Sequence, residues 1–175
     1  MIELVLGGAR SGKSRYAERQ ALAEDKAVIY VATAEVGDDE MQSRIARHRA
    51  DRPEHWLTVE EPIRLADTIK LYTTDDSCLL IDCLTLWLSN VLFDRRGGLQ
   101  FERFQQEKSA LLSVLQRTSG RIIMVSNEVG HGVVPMQKNT RRFVDEAGRL
   151  HQDIARICDR VVLVTAGLPQ VLKSP

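Results

Sequence analysis

The 175-residue chain has no excess of either charge: Lys+Arg and Asp+Glu both number 24, so no overall field draws it to nucleic acid or an anionic membrane. Any anion it binds must be held by a local site. Cysteine is sparse as well. Cys78, Cys83 and Cys158 are odd in number, form no CxxC pair and have no histidine at ligand spacing, which argues against a disulfide framework or a zinc site. Cys78 and Cys83 flank the apolar Leu79-Leu80-Ile81 and are expected as buried free thiols. Nowhere do 18 apolar residues run together, and the N-terminal MIELVLGGARSGKS lacks a basic stretch followed by a long apolar one. The expectation is a soluble, cytoplasmic protein. No repeat, low-complexity tract or linker divides the chain, and this length can bury roughly 70% of the unfolded surface, so one domain over residues 1–175 is expected.

What is present is an alternation. Short runs rich in Val, Ile and Leu recur at Ile2–Leu6, Ala27–Thr33, Cys78–Ile81, Arg121–Ser126 and Val161–Thr165, without the strict two-residue period of a half-exposed strand. That is how strands covered on both faces of a parallel sheet read. Between them the spacing predicts helices over Ser14–Ala23, Asp38–Arg49, Pro62–Tyr72, Thr85–Phe93, Phe101–Arg117 and Asn139–Cys158. The Thr85 helix is apolar nearly all round and needs burial on more than one side. Strand and helix in turn give an α/β fold with a mostly parallel central sheet and helices on both faces.

The first strand runs into Gly7-Gly8-Ala9-Arg10-Ser11-Gly12-Lys13-Ser14, which fits G-x-x-x-x-G-K-[ST] in the required place between a strand and a helix. Glycines let the backbone curl so that successive N–H groups point at phosphate oxygens, and the positive end of the next helix adds to that field. Lys13 is expected on the β- and γ-phosphates and the Ser14 hydroxyl on Mg²⁺. Such a loop needs an acidic partner at the end of a buried strand. Leu79-Leu80-Ile81-Asp82 supplies one, so Asp82 is the second expected Mg²⁺ ligand; the plain alternative is an Asp capping the Thr85 helix.

A switch GTPase would carry Asn-Lys-x-Asp after a late strand, but Ile122–Val125 is followed by Ser-Asn-Glu-Val-Gly. A small phosphotransferase remains. The segment after the second strand puts Met41, Ile45 and His48 on one helical face, with Arg44, Arg47, Arg49 and Arg52 around it. Those fork donors suit phosphate, and a neutral imidazole has a lone pair to attack phosphorus. A solvated basic helix is the plainer reading of the same residues. His55, His131 and His151 read as surface or packing residues, and Trp56 and Trp87 as packing.

Three segments together carry a resemblance. They are GGARSGKS; DDEM-x-x-RI-x-x-H-x-x-x-RP-x-x-W-x-T-x-E from Asp38 to Glu60; and NEVG-x-G-x-VP from Asn127 to Pro135, followed by R-x-F at Arg141 and D-x-x-G at Asp145. From Met1 to about Lys173 the chain resembles the bifunctional adenosylcobinamide kinase / adenosylcobinamide-phosphate guanylyltransferases of cobalamin biosynthesis. The resemblance implies phosphorylation of adenosylcobinamide with ATP or GTP, then transfer of GMP from GTP through a guanylyl-histidine to give adenosylcobinamide-GDP. It places the guanylylated histidine on His48 and nucleotide contacts on Gly7 to Ser14, Ala32, Thr33, Ala34, Arg49, Ala50, Asp51, Arg52, Glu60 and Asp82. It also implies a single P-loop NTPase domain of the RecA-like kind, commonly a homotrimer. The chain departs from the family at Arg47, where some members have a second histidine, at Val144, where some have Arg, and at His151, where Asn is also common. A simple small-molecule kinase without guanylyl transfer is the second enzyme reading, and a nucleotide-dependent switch protein the third.

Overall fold

The computed structural model describes residues 1–35, 53 and 55–175. The expected helix Asp38–Arg49 lies outside these residues, as do Arg44, Arg47, His48, Arg49, Ala50, Asp51 and Arg52. In chain order the elements are β1 (Ile2–Gly7), α1 (Lys13–Leu22), β2 (Ala27–Ala32), β3 (Leu57–Glu60), α2 (Leu65–Tyr72), β4 (Ser77–Asp82), α3 (Leu84–Leu92), α4 (Phe101–Arg117), β5 (Arg121–Asn127), α5 (Lys138–Ile157), β6 (Arg160–Thr165) and β7 (Leu168–Lys173).

The strands form one sheet in the order β3-β2-β4-β5-β1-β6-β7. Every pairing is parallel except β6 with β7. The five strands read from apolar runs are the five at the centre; four are buried along most of their length and β6 along half of it. Alternate residues feed two cores. Leu4, Leu6, Val31, Leu79, Ile81, Ile122 and Met124 meet α2, α3, α4 and α5 on one face. Val5, Val28, Tyr30, Leu80, Ile123, Val125, Val162 and Val164 meet Ala17 and Ala21 of α1 on the other. Helices on both faces are what a parallel sheet requires.

Two strands escaped the sequence reading, and both are edges. β3 is four residues long and only partly buried. β7 is exposed throughout and carries Pro169, a residue tolerated only at edges. Neither forms the continuous apolar run that marks a central strand. The second helix also starts later than Pro62 suggested, at Leu65. Glu61 Oε1 takes the N–H groups of Ile63 and Arg64 at 2.8 and 2.7 Å, which fixes a turn before the helix begins.

Helix α3 is covered by its own chain. Leu84, Thr85, Trp87, Leu88, Val91 and Leu92 are all buried, and Trp87 donates from Nε1 to the Ile63 carbonyl at 2.8 Å. Its all-round apolar character therefore needs no neighbouring subunit. Trp56 is likewise a buried packing residue, and all three cysteines are free and buried. Among the described residues no helix is long and apolar enough to cross a membrane.

Candidate active site

In a parallel sheet the loops that follow the strands gather at one edge, and ligands bind there. At this edge Ala32 pairs with Glu60 on one side and Asp82 on the other, Asp82 pairs with Val125, and Gly7 pairs with Asn127. Register alone thus brings Gly7, Ala32, Glu60 and Asp82, four of the residues singled out from sequence, to one side of the molecule.

The loop from Gly7 to Lys13 has the curled backbone its sequence required. A Cβ on Gly7 would lie 2.6 Å from the Val164 carbonyl oxygen and against Ser11 Oγ, so only glycine lets the loop start between β1 and β6. Arg10 and Gly12 sit in the left-handed region, at φ 56° and 91°. The β6–β7 turn braces the loop from behind, with Gly167 N–H donating to Ser11 O at 2.8 Å. Ser11 N–H is spent on Gly8 O at 3.2 Å, whereas the amides of Ala9, Arg10, Gly12 and Lys13 make no backbone hydrogen bond among the described residues. Gly8, Ala9 and Arg10 are exposed, and nothing lies within 4 Å of the Gly8 Cβ direction. These are free donors on an open surface at the positive end of α1, the arrangement that holds phosphate. Lys13 opens that helix, its Nζ reaching only the Gly8 carbonyl, at 3.3 Å, among the described residues, and Ser14 follows, half-buried.

Asp82 ends β4, half-buried, and among the described residues no hydrogen bond or ion pair engages its carboxylate. It does not cap α3: the N-cap is Cys83 and no side chain caps that helix. A free carboxylate beside a phosphate loop is the donor a divalent cation requires. Burial, with the Asp82 charge added, pushes the neighbouring Cys83 thiol up to about 11, so it stays protonated. Glu60, at the end of β3, is exposed, and its neighbour Glu61 is the residue spent on the turn before α2.

Thr33, one of the expected contacts, is placed differently from its neighbours. Thr33 is fully buried and each of its polar groups is used internally. Its N–H donates to Asp82 O at 3.2 Å, its hydroxyl donates to Cys83 O at 2.7 Å and accepts from Cys83 N–H at 2.8 Å, and its carbonyl accepts from Asn90 Nδ2 at 2.8 Å. Thr33 supports the Asp82 edge from beneath and has no side-chain surface left for a nucleotide. Its neighbours Ala32 and Ala34 are partly exposed.

The sequence also passed over what surrounds Asn127 and Glu128. Glu128 N–H donates to Gly7 O at 3.0 Å, tying the NEVG segment to the root of the phosphate loop. Buried Thr85, Ser126 and His151 lie behind it. The available signal was a hydroxyl inside each of two otherwise apolar runs, LTLWL and IIMVS. His55 and His131 are exposed, as surface histidines would be.

The sequence profile of the family described as cobinamide kinase / cobinamide phosphate guanyltransferase matches residues 3–172. The chain belongs to this family. It is 55% identical over 174 residues to the bifunctional adenosylcobalamin biosynthesis protein CobP of Pseudomonas aeruginosa, covering 99% of this chain and 98% of that one. To the bifunctional adenosylcobalamin biosynthesis protein CobU of Escherichia coli K12 it is 38% identical over 182 residues, covering 99% and 100%. Membership makes the chain an enzyme of the kinase-and-guanylyltransferase kind, rather than the simple kinase or the switch protein. Among solved structures it is similar to the type III secretion ATPase EscN of enteropathogenic E. coli (TM-score 0.60, 13% identity, 94% of this chain and 43% of that one). It is also similar to the RadB recombinase (TM-score 0.52, 17% identity, 93% and 73%). At such identities the likeness concerns the fold alone, and that fold is the P-loop NTPase fold.

Proposed function

We propose that residues 1–175 act as one domain that carries out both family reactions at the carboxyl edge of the sheet, with Lys13 and the loop amides holding the triphosphate and His48 accepting GMP. The observation that carries this reading is the pairing of an open, donor-rich phosphate loop with an unpartnered Asp82 along one register. Ser14 and Asp82 fit Mg²⁺, being a hydroxyl and a free carboxylate at the same edge. The ion would neutralise charge on the phosphates and help align them.

In the kinase step the substrate hydroxyl attacks the γ-phosphorus of ATP or GTP, the bridging bond to the β-phosphate breaks, and the hydroxyl proton leaves. Positioning and charge neutralisation by Lys13 and the loop amides suffice, because no protein nucleophile takes part. In the second reaction a neutral His48 nitrogen attacks the α-phosphorus of GTP and pyrophosphate leaves. The substrate phosphate then attacks the same phosphorus, breaking the P–N bond and releasing the imidazole. Arg44, Arg47, Arg49 and Arg52 would offset the charge that builds up. Glu60, Ala32, Ala34 and the stretch Arg49-Ala50-Asp51-Arg52 complete the nucleotide contacts in this reading. The assembly is a cytoplasmic homotrimer; exposed Val133, Val134 and Met136, and Leu168, Val171 and Leu172 on β7, offer apolar surface for subunit contact.

Product analysis tests the division of labour. With adenosylcobinamide, GTP and Mg²⁺, the wild type should form adenosylcobinamide phosphate and then adenosylcobinamide-GDP, whereas His48→Ala should stop at the phosphate. Formation of the GDP product by His48→Ala at the wild-type rate would overturn the assignment.

A further inference from the structure

One buried titratable residue near the site has no part in either reaction as written. His151, on α5, is 7% exposed. Its Nε2 lies 2.7 Å from Ser126 Oγ, and its Nδ1 faces Glu128 Oε2 at 3.8 Å. Ser126 Oγ is 3.1 Å from Thr85 Oγ1, which accepts the Asn127 N–H at 2.7 Å. Residues of α5, β5 and α3 are thus joined in one hydrogen-bonded chain ending on the backbone of the NEVG segment.

The chain has a direction. The Glu128 carboxylate facing Nδ1 favours the ring proton there, and in that tautomer Nε2 accepts from the Ser126 hydroxyl. Ser126 in turn accepts from Thr85, and Thr85 accepts from Asn127 N–H. Burial holds the His151 pKa below its ordinary value, in keeping with a neutral ring, with Glu128 pulling the other way. Packing alone does not account for this arrangement. An apolar side chain would fill the space, and two hydroxyls would then be buried in apolar runs without need.

The far end of the chain lies where the chemistry takes place. β5 is the strand between β1, which carries the phosphate loop, and β4, which carries Asp82. Asn127 pairs with Gly7 across the sheet, and Glu128 bonds to Gly7 through its backbone. Among the described residues Asn127 Oδ1 is buried with no hydrogen-bond partner, a state that is costly for an acceptor unless something supplies a donor. Glu128 Oε1 is fixed by Gly130 N–H at 2.6 Å, leaving Oε2 toward His151.

We propose that His151 is a positioning residue for phosphoryl transfer: through Ser126 and Thr85 it fixes Asn127 and Glu128 between the phosphate loop and Asp82, and so sets the alignment of the transferred group with the attacking hydroxyl. The inference rests on the kinase reaction and is independent of His48. The wild-type rate in the same assay reports on the kinase reading itself, so the two fail separately.

The test is steady-state phosphorylation of adenosylcobinamide by wild type, His151→Leu, His151→Gln and Ser126→Ala, with thermal midpoints measured alongside. His151→Leu should lose roughly 10- to 100-fold in kcat, the scale of a small misalignment. Its KM for nucleotide should hold within about two-fold, since the loop amides are untouched. His151→Gln, which places an amide where Nε2 was, should restore most of the rate. Ser126→Ala should slow turnover as His151→Leu does, and the double variant should be no slower than either single one. An unchanged kcat in folded His151→Leu would overturn the proposal, as would a Gln variant as slow as Leu. If His151→Leu does not fold, Ser126→Ala decides: lowered kcat at normal KM supports the link, and unchanged kcat removes it.

Discussion

The two edges of the sheet hold similar residues and use them in opposite ways. At the amino edge the charges face one another. Arg121 is 3% exposed and donates to Glu3 at 2.7 Å and to Glu24 at 2.7 Å, and Arg160 and Tyr16 also approach Glu3. The Asp159 carboxylate takes the Ile2 N–H at 2.6 Å, and the chain's amino terminus donates to Gly120 O at 3.0 Å. At the carboxyl edge Asp82 has no partner among the described residues, Lys13 reaches only its own loop, and Asn127 Oδ1 and Ser11 Oγ are buried without one. Paired charges contribute to the fold, and unpaired ones at a strand edge are available to a ligand. The difference lies in the carboxylates: the amino edge pairs its own, although Arg121 Nη1 and Arg160 Nε there also lack a hydrogen bond among the described residues, whereas Asp82 at the carboxyl edge is unpaired among them.

Substitution at each edge should therefore give opposite signatures. The largest effect is expected at the open edge. Lys13→Ala should cut both reactions by roughly 10³-fold or more, since each needs the triphosphate neutralised in place. Its thermal midpoint should stay near that of wild type, because Lys13 makes a single 3.3 Å contact with its own loop. A folded variant with near-normal turnover would remove the loop from the mechanism. At the closed edge Arg121→Met should do the reverse, costing about 3–5 kcal/mol in denaturant unfolding because Glu3, fully buried, loses its nearest cation and keeps only the longer contacts with Arg160 and Tyr16. Nucleotide KM in the surviving folded fraction should be unchanged, and a shift there would mean the edges are coupled.

The smallest effect is expected from the thiols, which sample both edges. Cys78 is the second residue of β4 and Cys83 follows its end, and burial pushes both to about 11. Burial raises Cys158 further, to about 12. A thiol whose pKa is raised stays protonated and unreactive until the pH approaches that value, so alkylation at pH 8 should be slow at all three positions. Unfolding should release three equally reactive thiols. Rapid native labelling of Cys83 alone would show that the carboxyl edge opens.

Much of this was legible in the residues. Five central strands, the phosphate loop and Asp82 could be read because each rests on a local pattern: a run of branched apolar residues, a fixed spacing of glycines, an acid ending such a run. The edge strands β3 and β7 could not, since half-exposed strands lack that run. Nor could the role of Thr33, whose hydroxyl is consumed by a residue 50 positions away. The Ser126–His151 contact spans 25 positions, so a helical histidine that reads as packing becomes part of the site's support only in three dimensions. Local patterns mark where a ligand is held; which polar groups remain free for it depends on pairing across the fold.

In the proposed mechanism one nucleotide site serves two reactions, and only the second passes through a protein nucleophile. Intact-mass analysis after incubation with GTP and Mg²⁺ tests it most directly. The wild type should gain one GMP, on His48, through a bond that acid breaks and alkali spares. Lys13→Ala should gain none, and neither should His48→Ala, although the latter should still phosphorylate adenosylcobinamide. Label on His55, His131 or a lysine, or no label on wild type under turnover conditions, would contradict the account.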